Sequence, residues 1–195
     1  MPEALKQLFG ISGTLLAIYA IIPYIADIKK GNTKPHKMAQ IIFMIIAGIS
    51  FFGQLQEGAT ASLYLTAYFF FLPFIILYLS RNTKIGSITK PDIFTLILCL
   101  FVLLVWALTE SAALAIILIT FVNFIAKVLV MIKVYKYPDS ELLLTWNLAI
   151  VASLLTVLSV GEFDWILILT PLHNAVTVAI ISGIIINRKK IGTHA

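Results

Sequence analysis

The chain is poor in cysteine, in charge and in acids placed anywhere but at the ends of its apolar runs. Its one cysteine, Cys99, lies inside an apolar stretch and has no second thiol, which excludes an internal disulfide. Only 12% of the 195 residues are charged. A lipid-acting membrane enzyme would need paired carboxylates, a His/Asp constellation or an HExxH-type helix at membrane depth. The acids lie at segment ends and one histidine, His173, lies mid-span, so no catalytic residue is assigned and no enzyme is expected. A lone histidine also lacks metal-ligand spacing, so neither metal nor cofactor is expected. No polar stretch is long enough for a soluble catalytic domain. The first ten residues, Met1 to Gly10, lack the basic region and cleavage site of a secretory signal, and the first apolar run is expected to be retained.

Apolar residues are plentiful instead: 61% of the chain, with a mean hydropathy of +1.03. About 20 apolar residues cross the hydrocarbon, and a backbone without water must satisfy its own hydrogen bonds, which selects helices. The pattern predicts an all-α membrane protein with seven transmembrane helices at 8–28, 38–56, 60–80, 92–109, 112–134, 141–160 and 165–187. Basic residues occupy alternate connections. Lys29, Lys30, Lys34 and Lys37 follow the first run; Arg81, Lys84 and Lys90 the third; Lys133 and Lys136 the fifth; Arg188, Lys189 and Lys190 the last. The intervening connections carry Glu57, Glu110, and Glu162 with Asp164. Twelve of 14 Lys and Arg thus fall on one side, with Lys6 opposite and Lys127 within a span. The bias predicts an N-terminus outside and a cytoplasmic C-terminus. It assigns the net charge of +5 to topology and a lipid partner rather than to nucleic acid. A bacterial inner membrane is the expected location.

The polar connection from Ser80 to Asp92 divides the chain, and Asp92 after Pro91 reads as a helix N-cap. The fourth run is nearly featureless apart from Thr95, Cys99 and Trp106 and suits a lipid-facing linker, with Trp106 as an interfacial anchor. Shifting the first half by 103 positions superposes Lys30 on Lys133, Pro35 on Pro138, Ser50 on Ser153 and Gly58 on Gly161. The expected organisation is two parallel three-helix repeats, 1–80 and 111–195, joined by a loop and linker helix at 81–110.

The segment from Ile22 to Lys34, with Pro23 late in the first helix and a basic Lys/Thr loop after it, resembles the PQ-loop signature of the SWEET and SemiSWEET transporters. The three-one-three layout and the bland fourth helix are similar as well. Tyr24 stands where the signature has Gln, and Ala126-Lys127 stands where a second Pro-Gln would fall. The resemblance implies facilitated movement of a small solute, with Asn174 matching the asparagine that bonds the solute in the last helix of a repeat. Tyr68 or Thr66 would stand opposite it.

Polar groups in spans are costly and usually face the interior. Lys127 stands out, four residues after Asn123 and on the same helix face. An unpaired lysine there costs about 2.5–3.5 kcal/mol. Two readings remain open: a cation beside a solute path, with Asp27 as a partner, or an amine snorkelling to headgroups. His173 and Asn174 follow Pro171; Trp146, Asn147 and Ser153 lie on the sixth run; Ser50 and Gln54 share a face of the second. With Tyr68, these are the candidate solute-binding residues. Each also has a plain packing role available. Gly48 and Gly53 would let the second helix approach its neighbours. Pro23, Pro73 and Pro171 are candidate hinges for alternating access. The function expected is a carrier for a small polar solute, sugar or similar, through a central cavity. The alternative is a non-transporting membrane accessory or sensor protein.

Overall fold

Each apolar run ends where glycine, a cap or a cluster of polar residues offers the backbone another partner, and the helices stop there. The computed structural model describes residues 1–30, 37–82, 88–161 and 163–192, apart from the side chains of Asp27, Ser140 and Ile191. The loop residues Asn32, Thr33, Lys34 and Pro35, together with Lys84 and Glu162, lie outside the described residues. Among those described there are seven α-helices, one short 3-10 turn and no strand: α1 (Glu3–Lys29), α2 (Lys37–Gln56), α3 (Leu63–Leu79), α4 (Lys90–Thr109), α5 (Ala112–Lys136), the 3-10 turn Pro138–Ser140, α6 (Leu143–Val160) and α7 (Trp165–Gly192). All but α3 are long and apolar enough to cross a membrane. The 17 residues of α3 span about 26 Å, slightly less than the hydrocarbon.

The predicted runs coincide with these helices, with two differences at the chain ends. α1 begins at Glu3 and α7 continues to Gly192, because polar residues at a helix end remain helical once the apolar part is packed. One cap is corrected. The N-cap of α4 is Thr89, and Asp92 is the N3 residue of a capping box. The Thr89 hydroxyl accepts from the Asp92 N–H (3.4 Å), and the Asp92 carboxylate accepts from the Thr89 N–H (2.8 Å). Proline inside the first turn lacks an N–H, so the acid three residues after the cap reaches back over it.

The helices pack in a recurring order. α3 lies between α1 and α2, and α7 lies between α5 and α6. Among the described residues the backbones of α1 and α2 do not pack on each other, nor do those of α5 and α6. The two groups meet through α1 on α6 and α2 on α5, while α4 packs on α5 and α2. A Cβ on Gly13 would stand 2.8 Å from the Ala152 carbonyl oxygen, so only glycine permits this approach of α1 to α6. Gly48 and Gly53 meet side chains, Phe70 and Ile116, as expected of small residues at an interface.

A dry cluster of Ile42, Ile46 and Ile49 from α2, Cys99 and Val102 from α4, and Ile119 from α5 joins those helices. α4 buries Thr95, Cys99 and Val102 and exposes Phe94, Ile97, Phe101 and Leu104 on the opposite side. Trp106 is half-buried against the α2–α4–α5 cluster rather than standing free.

Candidate functional site

One polar residue from each of α5, α6 and α7 is joined to the others well inside the apolar length of these helices. Lys127 is nine residues before the end of α5, about 13 Å from it along the axis. Side chains on a helix tilt toward its N-terminus, which aims this amine away from the end that carries Lys133 and Lys136. Its Nζ donates to Asn174 Oδ1 on α7 at 3.1 Å. Asn174 Nδ2 in turn donates to the buried Ser153 Oγ on α6 at 2.7 Å. The same lysine nitrogen lies 5.4 Å from the Trp146 ring centroid on α6. Trp146 Nε1 donates to Glu141 Oε2 at 3.3 Å, and Glu141 Oε1 accepts from Lys133 Nζ at 2.9 Å. α7 separates α5 from α6, so the lysine reaches across one face of α7 to its neighbour.

Local sequence explains why α7 can present these groups. Pro171 is buried and supplies no N–H to the Leu167 carbonyl. The Thr177 hydroxyl donates back to the carbonyls of His173 (2.9 Å) and Asn174 (3.2 Å), a bond that loosens and bends a helix. Thr170 beside the proline meets Thr120 of α5 at 3.4 Å. His173 packs edge-on to Phe124, ring centroids 6.2 Å apart, and both its ring nitrogens are shielded from solvent without a hydrogen-bond partner.

Lys127, Asn174, Ser153 and Trp146 are therefore brought together, with His173 adjacent in the chain. The others are not part of this network. Asn123 is part-buried and makes no side-chain bond among the described residues, and Asn147 is exposed. The single-face spacing of Asn123 and Lys127 fails to unite them because the lysine stem bends toward α7. Asn147, one position past Trp146, is rotated by about 100° to the outer surface. Tyr68 ties α3 to α1, its hydroxyl donating to the Ala17 carbonyl at 3.1 Å. Ser50 and Gln54 are buried in α2. The Gln54 Oε1 accepts from Thr66 at 3.3 Å while its Nε2 has no partner. Pro73 is buried within α3 and Pro23 is exposed on α1. The side chain of Asp27, the partner expected for Lys127, lies outside the described residues.

Sequence reasoning passed over Glu141, which anchors both Trp146 and Lys133, and Thr145, which donates to the Ala20 carbonyl of α1 at 3.2 Å. The two acids Asp139 and Glu141 after Lys133 and Lys136 were the available signal for the first. Two open grooves of about 320 and 330 Å³ lie on the flank, between α2, α3 and α4 and between α4 and α5. Both are apolar, and neither is lined by the network residues.

Comparison with models of known families finds no match, and none is found among curated proteins or solved structures. Function is argued from the network itself.

Proposed function

We propose that the chain carries a small polar solute across the membrane by alternating access between two three-helix units, α1–α3 and α5–α7, with α4 as linker. The observation that carries this reading is the chain of bonds Lys127–Asn174–Ser153 at membrane depth. Three polar side chains from three different helices are each costly in lipid.

Several features support two related units. The order first–third–second recurs in both groups, and the pairings α1 on α6 and α2 on α5 exchange under a two-fold axis along the membrane normal. Ser50 and Ser153, 103 positions apart, are both buried. Gly58 and Gly161, separated by the same interval, both follow their helix with positive φ, 80° and 78°. The PQ-loop-like segment and the lysine-rich loops fit the same plan, with the N-terminus outside and the C-terminus in the cytoplasm of a bacterial cell. Pro171, next to the Asn174 bond, and Pro73 and Pro23 are the hinge positions in this scheme.

The test is counterflow of radiolabelled small polar solutes, neutral and charged, in liposomes containing the purified chain. Saturable flux is expected for the wild type, with at least a tenfold loss in Asn174→Ala. Flux indistinguishable from empty liposomes for every solute would overturn the reading.

A further inference from the structure

We infer that the solute held by this network is a small, singly charged anion, a monocarboxylate, bound at the Lys127 amine. This rests on the carrier reading above and names its substrate class. Among the described residues, Lys127 is the one Asp, Glu, Lys or Arg more than two turns from a helix end. An ammonium has three N–H donors and no acceptor. Asn174 Oδ1 takes one of them, and the Trp146 ring face takes part of the charge. Both partners are neutral. No carboxylate pairs with Lys127 among the described residues, and Glu141, the acid nearest along the network, is engaged by Lys133 and Trp146. The described residues thus orient this amine without neutralising it.

The two ring nitrogens of His173, next to Asn174 in the chain, are shielded and unpaired. Buried polar groups nearly always have partners. An ionised carboxylate only accepts hydrogen bonds, and the Lys127 ammonium has N–H donors beyond the one that Asn174 takes. One cation balances one negative charge. A dianion such as phosphate would carry an excess charge into the bundle, and a cationic solute would be repelled by the amine. Asn174, pinned by Ser153, acts as a positioning residue for the amine rather than as the charge that selects the solute.

The purified full chain in nanodiscs of phosphatidylcholine alone, whose headgroups carry no net charge, tests this. Equilibrium binding is measured for radiolabelled acetate, lactate and benzoate, with lactamide as the neutral counterpart of lactate. At least one monocarboxylate is expected to bind saturably and to resist displacement by its amide. Lys127→Met should weaken binding at least tenfold, and Lys127→Arg should retain it within a few-fold. Failure of all three probes to bind, equal binding of lactate and lactamide, or unchanged binding in a folded Lys127→Met variant would overturn the inference. The lactate–lactamide comparison uses the wild type and does not depend on the variant folding. Counterflow separates the two claims. A carboxylate that binds but is not carried removes the carrier reading and leaves the anion site. Flux of neutral erythritol that ignores Lys127, without carboxylate flux, removes the anion inference and leaves the carrier.

Discussion

Ser153 is fully buried, and its hydroxyl receives the Asn174 amide at 2.7 Å. Ser153→Ala would leave that donor without its partner, at a cost of about 1–3 kcal/mol. The thermal melting temperature in detergent should fall, and unchanged melting would show that the bond contributes nothing. Lys127→Met should behave in the opposite way. A lysine within a span costs about 2.5–3.5 kcal/mol, more than the hydrogen bond to Asn174 that its removal forfeits, so the melting temperature of the variant should match or exceed that of the wild type. A destabilised Lys127→Met variant would mean that the amine serves the fold. Asn174→Leu removes the lysine's acceptor while leaving the cation in place, and it should be the most damaging of the three.

At the scale of elements, the contact of α1 with α6 depends on one missing side chain. Gly13→Leu would drive its Cβ onto the Ala152 carbonyl, and overpacking of this kind costs about 1–3 kcal/mol. The helices would separate, the Thr145 bond to Ala20 would lengthen, and melting would drop accordingly. The turn after α6 is similarly specific. Gly161 has φ 78°, a backbone conformation that side-chain-bearing residues rarely adopt, so a substitution there is strained, while the nearby Lys6 side chain could move aside. The cap of α4 is milder. Thr89→Ala should cost about 1 kcal/mol, detectable as faster amide exchange in the first turn of that helix and little change elsewhere.

The whole molecule has a dry, apolar exterior and basic residues concentrated in alternate connections. That asymmetry predicts which face each end occupies. Cys99 is buried, so Cys99→Ser provides a background without competing thiols. In that background, Glu57→Cys should react with a membrane-impermeant maleimide in intact cells, and Lys189→Cys only after permeabilisation. The reverse pattern would invert the assigned topology. Equal labelling of both before permeabilisation would show that the chain is not held in a sealed membrane in one orientation.

Much of this architecture was determined by local chemistry. Long apolar runs have no lipid-compatible alternative to the helix, so their number and limits follow from composition, and the glycines at 58 and 161 mark ends because left-handed backbone favours them. That Lys127, Asn174 and Ser153 need partners was legible for the same reason, since polar groups in lipid are costly to leave unpaired. Which partners they take was not. Asn123 and Asn147 look equivalent to Asn174 in the sequence, and only the packing of α7 between α5 and α6 decides that Asn174 meets both the lysine and the serine. Helical periodicity places a residue on a face, whereas the choice of which face meets another helix depends on long-range contacts such as the approach permitted by Gly13. The chain's own residues therefore dictated its helices and its rare polar groups, and tertiary packing alone selected which of those groups share a site.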